Sequence, residues 1–183
     1  MSMSWCRRGA GGSVASRADG VLSLDRAGDL GTLRHTRYQA AVLQNGAILL
    51  LRCAFRNGPT VWILPGGGRE DGEDEEACVA REVREETHLD VRVERLLSDR
   101  PAEPPDGTYI RWRTYLCTVT AGKVSPGGGE GADAELVAVT WLPIHDERTW
   151  SAEIWSDAYL YPQLLAIRAG IANLDSRSGS SAI

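Results

Sequence analysis

A chain of 183 residues with 43% hydrophobic and 25% charged side chains has an ordinary globular composition, long enough for one domain with a sizeable core. Its net charge of -5 argues against wrapping extended nucleic acid, which runs on clustered Lys and Arg, and leaves a small nucleotide escorted by a divalent cation compatible. No apolar run approaches the roughly 18 residues of a membrane span, so no membrane partner is expected. Cys6, Cys53, Cys78 and Cys117 show neither metal-ligand spacing nor a disulfide framework, and the expected setting is reducing and cytoplasmic.

Residues 1–34 are rich in Gly, Ser and Arg and poor in large apolar side chains. Arg7, Arg8 and Arg17 among serines faintly resemble a transit peptide but lack its amphipathic period, so the segment reads as a flexible arm. Order is expected from about residue 35 to 172. Tyr38 to Leu43 and Ala47 to Cys53 are β-prone runs around Gln44-Asn45-Gly46, and Asn-Gly between such runs predicts a hairpin. Val61 to Leu64 reads as a short strand ending at Pro65-Gly66-Gly67-Gly68, where glycines permit close backbone approach. Asp74 to Thr87 reads as helix, and Val91 to Leu97, Tyr109 to Val119 and Leu136 to Leu142 as strands. Pro101 to Gly107 and Ser125 to Asp133 read as loops. A second helix is expected from Ser156 to about Ala172, carrying Leu160, Leu164, Leu165, Ile167 and Ile171 at helical spacing, with residues 173–183 as a flexible tail. The order predicts an α/β (α+β) sandwich, a mixed β-sheet core flanked by helices.

The first helix is the informative element. At about 100° per residue, Glu82, Glu85 and Glu86 fall within an arc of roughly 100°, with Ala77, Ala80, Val83 and Thr87 expected on the sheet side. Glutamates three and four apart repel by a few tenths of a kcal/mol per pair. In the last turns the helix macrodipole adds about 0.3–1 kcal/mol against each. Selection for stability alone would place these acids at the other end. Arg81 and Arg84 relieve part of the strain; a bound cation relieves more. Carboxylates without His or Cys partners select hard cations, Mg²⁺ first and Mn²⁺ second.

These residues resemble the Nudix box: Gly, five residues, Glu, seven residues, then Arg-Glu-U-x-Glu-Glu-x-Gly-U, with U a bulky aliphatic. Gly67, Glu73, Arg81, Glu82, Val83, Glu85, Glu86 and Leu89 stand in that register, and fixed spacing over this length is far more specific than a short motif. His88 stands where the family has glycine, just past the helix, a place where left-handed backbone is common. The resemblance implies that Glu82, Glu85 and Glu86 hold metal with a carbonyl near Gly67, and that Arg81 orients the acids through Glu73. For the water-activating base it leaves Glu82, Glu86, or an acid of the segment holding Glu130 and Glu135. Glu82 is slightly favoured.

It implies hydrolysis of a nucleoside diphosphate linked to another moiety. Trp155-Ser156-Asp157 before Tyr161-Pro162-Gln163-Leu164-Leu165 resembles the purine-reading segment of MutT-type triphosphatases, one residue shorter. Trp155 would stack on a base and Asp157 would bond its edge, with Glu135 a further substrate contact. The leading expectation is a nucleoside triphosphate, normal or oxidised. ADP-ribose or another nucleoside diphosphate sugar comes second, on Pro104 and Pro105, and a non-catalytic nucleotide-binding module third.

Overall fold

The computed structural model describes residues 36–56, 58–102, 109–126 and 134–178. The N-terminal arm, Glu130, Pro104 and Pro105, and residues 179–183 lie outside the described residues. Seven strands form one mixed sheet: β1 (Thr36–Gln44), β2 (Ala47–Phe55), β3 (Thr60–Ile63), β4 (Gly66–Gly67), β5 (Leu89–Pro101), β6 (Arg111–Gly122) and β7 (Ala134–Pro143). The order is β3-β2-β1-β6-β5, with β4 paired to β1 and β7 to β2. Helix α1 (Glu75–Thr87) covers one face, and α2 (Ala152–Trp155) with α3 (Leu160–Ser178) covers the other.

Period-two alternation builds both cores from the same strands. Ala40, Val42 and Leu49 pack with Cys78, Val79 and Val83 of α1. Ala41, Ile48 and Leu50 pack with Leu160, Leu164 and Ile167 of α3. The hairpin turns at Asn45 (φ 50°) and Gly46 (φ 76°), the left-handed pair of a type I′ turn.

The hairpin splays immediately after that turn. β1 and β2 pair through Leu43 with Ile48 and Gln44 with Ala47. Further along, β1 takes β4 as its partner, with Tyr38 opposite Gly67 and Gln39 opposite Gly66. The Ala40 N–H donates to Pro65 O at 2.8 Å. The glycine turn thus enters the sheet beside β1, a placement that hairpin chemistry alone does not encode.

Several expected boundaries move. The helix expected from Ser156 to about Ala172 is α3, which starts at Leu160 and runs past Asn173 to Ser178; an unexpected short helix, α2, precedes it, capped by Ser151, whose hydroxyl accepts from Ile154 N. Pro162 sits in the first turn of α3, where its missing N–H costs nothing. β5 is longer than the run Val91 to Leu97 because register shifts at Asp90/Val91, Val93/Arg95 and Leu96/Ser98 break its alternation. Tyr109 is fully buried but lies outside β6. Cys53, Cys78 and Cys117 are buried free thiols.

The face of α1 needs correction. The helix buries Cys78, Val79, Glu82, Val83, Glu86 and Thr87, while Ala77 is exposed. On the wheel the larger Cys78 and Val79, with Val83, pull the buried arc round by about a quarter turn. Glu82 and Glu86 therefore sit inside that arc, not opposite it.

Candidate functional site

Helix α1 begins at Asp74, whose carboxylate accepts from Ala77 N at 2.7 Å. It ends at His88, which takes the left-handed conformation (φ 58°, ψ 20°) and donates its N–H to Arg84 O. The histidine does there what a glycine would do, and its Nδ1 lies 2.9 Å from Ser125 Oγ.

Arg81 organises the acids. Its Nε and Nη2 reach Glu73 Oε1 and Oε2 at 2.8 and 3.0 Å, a two-pronged pair. Its Nη1 reaches Glu82 Oε1 at 3.0 Å and Glu85 Oε2 at 3.2 Å, and its Nη2 also donates to Gly68 O at 3.2 Å. Glu73 accepts in addition from Glu70 N at 2.9 Å. The hydrogen bonds from Arg81 hold the Glu73 carboxyl below its usual range despite some burial. Those with Glu73, chiefly, raise the proton affinity of Arg81.

Glu82 and Glu86 are 1% and 5% exposed. Burial raises the Glu82 carboxyl, against the pull of Arg81 and Arg37. Burial pushes Glu86 up to about 8, although Arg37 and the Gly66 N–H both favour its charged form. That N–H donates to Glu86 Oε2 at 2.9 Å, so the glycine turn and the helix meet at this carboxylate. Glu85 is half-buried at the edge.

The structure thus brings Gly67, Glu73, Arg81, Glu82, Glu85 and Glu86 together through β4 and α1. Glu135 stands exposed in β7, opposite Ala54 of β2 and three strand pairings from β4. Trp155 is 43% exposed, its ring 5.0 Å from that of Tyr161 and 6.1 Å from that of Trp150. Asp157 caps α3, since its Oδ1 accepts from Tyr159 N at 2.8 Å and from Leu160 N at 2.7 Å. Replacing Asp157 by Ala is expected to cost about 1 kcal/mol of stability, read as a lower melting temperature without substrate.

Sequence reasoning missed Arg37, a buried cation that donates to Leu64 O at the entry to the glycine turn. The only signal was an arginine at the head of an otherwise apolar strand run.

The chain matches the NUDIX domain over residues 34–164. It is similar to "NAD-capped RNA hydrolase NudC" of Vibrio atlanticus (strain LGP32), 32% identical over 119 residues, covering 63% of this chain and 43% of that protein. It is 33% identical over 115 residues to a "MutT-like protein" of Streptomyces ambofaciens, covering 63% of this chain and 67% of that protein. The chain therefore spans less than half the length of the first of these relatives. A NUDIX hydrolase from Nitrosomonas europaea superposes with a TM-score of 0.58 at 22% identity, covering 74% of this chain and 89% of that one, a likeness of fold. A family match from residue 34 to residue 164 takes in every strand of the described sheet as well as the acidic helix, and on it the chain belongs to the Nudix hydrolase family.

Proposed function

We propose that this chain is a magnesium-dependent hydrolase of phosphoric anhydrides, cleaving a nucleoside diphosphate linked to another moiety. The leading substrate is a nucleoside triphosphate, normal or oxidised, giving the monophosphate and pyrophosphate. One observation carries this reading: two glutamates, Glu82 and Glu86, are buried at the negative end of a helix. Charge there opposes both desolvation and the macrodipole, and a hard cation reverses both penalties.

The donor set fits Mg²⁺. It is all oxygen, without His or thiolate, and enzymes of this family generally use divalent metals. Among the described residues no three His, Cys, Asp or Glu side chains are gathered as a ready cage. Magnesium needs none, since it keeps several waters and shares substrate phosphates. Glu82, Glu85 and Glu86 would hold it, with the Gly67 carbonyl assisting and Mn²⁺ as a substitute. When bound, the cation acidifies water and neutralises charge that builds on the phosphate oxygens.

The chain's own residues do the rest. Arg81 holds Glu82 and Glu85 in place from its two-pronged anchor on Glu73. Gly66 fixes one oxygen of Glu86 and leaves the other to work. Glu82 is the first choice for the proton-accepting base, being buried and oriented by Arg81; Glu86 and the acids of the Glu130–Glu135 segment follow. Trp155 offers a ring face to a base, and Asp157 keeps Oδ2 for a base edge.

The cap role of Asp157 favours a second reading, ADP-ribose or another nucleoside diphosphate sugar, which asks less of base recognition. Cation dependence tests the common chemistry. Nucleotide turnover is expected with Mg²⁺ or Mn²⁺ and none in excess chelator; full turnover in chelator, or a requirement for zinc alone, overturns the assignment.

A further inference from the structure

Arg37 is 3% exposed, a burial that is costly for an arginine unless its surroundings compensate. Its contacts show what compensates it. The Nη2 donates to Leu64 O at 3.1 Å, and the guanidinium stands 5.8 Å from the centre of the Tyr109 ring.

Leu64 leads into the glycine turn, and the turn is held at three successive residues. Arg37 takes the Leu64 carbonyl, the Ala40 N–H takes the Pro65 carbonyl, and the Gly66 N–H is spent on Glu86. A two-stranded register over Tyr38–Gly67 and Gln39–Gly66 leaves the turn no room to slide. An apolar side chain would fill the space beneath Leu64 at a lower desolvation cost, so packing alone does not account for an arginine there.

Resting on the hydrolytic reading above, we infer that Arg37 is a positioning residue of the site: it seats the Leu64–Gly66 turn on β1 so that the Gly66 N–H meets Glu86. It acts through the turn and through Glu86, and the Leu64 contact is its handle. Arg81 organises the acids from the side of Glu73 and Gly68; Arg37 holds the glycine turn from β1.

The test uses the full chain, parent, Arg37→Met and Arg37→Lys, with two readouts. In metal-free protein, amide hydrogen exchange compares Gly66 with Leu50 in the sheet. Arg37→Met should lose about tenfold or more of the protection at Gly66 relative to Leu50. With Mg²⁺ and a purine triphosphate, its kcat should fall about tenfold while KM stays within about threefold. Arg37→Lys, which keeps the charge and one donor, should lie between. Protection falling equally at both amides, with kcat equal to the parent's, would mean packing only and would overturn the inference. Should Arg37→Met fail to fold, Arg37→Lys decides by the same criterion. A parent that turns over no nucleotide sinks the hydrolytic reading, and the Gly66 exchange then decides the positioning role on its own.

Discussion

Glu86→Gln is expected to lower kcat by about a thousandfold while leaving the metal-free melting temperature unchanged or raised. Gln keeps the shape, and its amide oxygen still accepts from Gly66 N. What goes is a negative charge that the acidic cluster contributes to cation binding. The stability side has a definite sign. The folded Glu86 carboxyl is raised to about 8 from an ordinary 4.5, so the native state binds its proton more tightly than the unfolded chain does. That contribution is fully present below 4.5 and is lost as pH rises through about 8. Metal-free parent protein should therefore lose stability across that window, by up to about 4 kcal/mol, with Glu82 adding in the same direction. Glu86→Gln should flatten the profile, and its advantage over the parent should be largest near pH 8.5. Thermal melts in chelator at pH 5 and pH 8.5 check this. A variant that melts well below the parent at both pH values would make Glu86 a structural residue.

Gly66→Ala is expected to destabilise the protein by about 3 kcal/mol or more, a drop in melting temperature of about 10 °C. Gly66 has φ +149°, a conformation side chains rarely adopt, and an added Cβ would stand 2.3 Å from Tyr38 O and 2.6 Å from Gln39 Cα. Both obstacles are backbone of β1, which cannot yield without breaking the β1–β4 register. Gly46→Ala makes the contrast. It also has positive φ, at +76°, but nothing lies within 4 Å of its added Cβ, so about 1 kcal/mol is expected. Equal melting temperatures for the two variants would contradict the close approach of the glycine turn to β1.

The two glycines also show what the sequence could say. Asn45-Gly46 declares its turn locally, because two left-handed residues in a row fit a hairpin and little else. The box was legible because it is long and rigidly spaced, and the left-handed His88 follows from its place just after the helix. Gly66 and Gly67 announced a close approach but not what they approach, since β1 lies more than twenty residues back and the splay of β1 from β2 is tertiary. The acidic face of α1 was misjudged for a related reason. Hydropathy puts glutamates outside, and a buried pair reads the same in sequence as a solvated pair. Arg37 was silent too, because a charged residue at the head of a strand run looks like a boundary. Asp157 carries a role the sequence did not declare: a helix cap and a base-reading carboxylate are the same residue in sequence, and the bonds to Tyr159 and Leu160 show the capping role.

The most direct test of the hydrolytic site is a one-pot competition. Oxidised and normal purine triphosphates and ADP-ribose are offered together to the parent and to Glu86→Gln in Mg²⁺, with products identified by mass. The parent should release nucleoside monophosphate and pyrophosphate from triphosphates ahead of any AMP and ribose 5-phosphate from ADP-ribose, and Glu86→Gln should release almost nothing. Preferential cleavage of ADP-ribose would move the substrate class and keep the site. A parent that leaves every nucleotide intact, or a Glu86→Gln variant as fast as the parent, would contradict the assignment of the buried acidic face of α1 as the centre of hydrolysis.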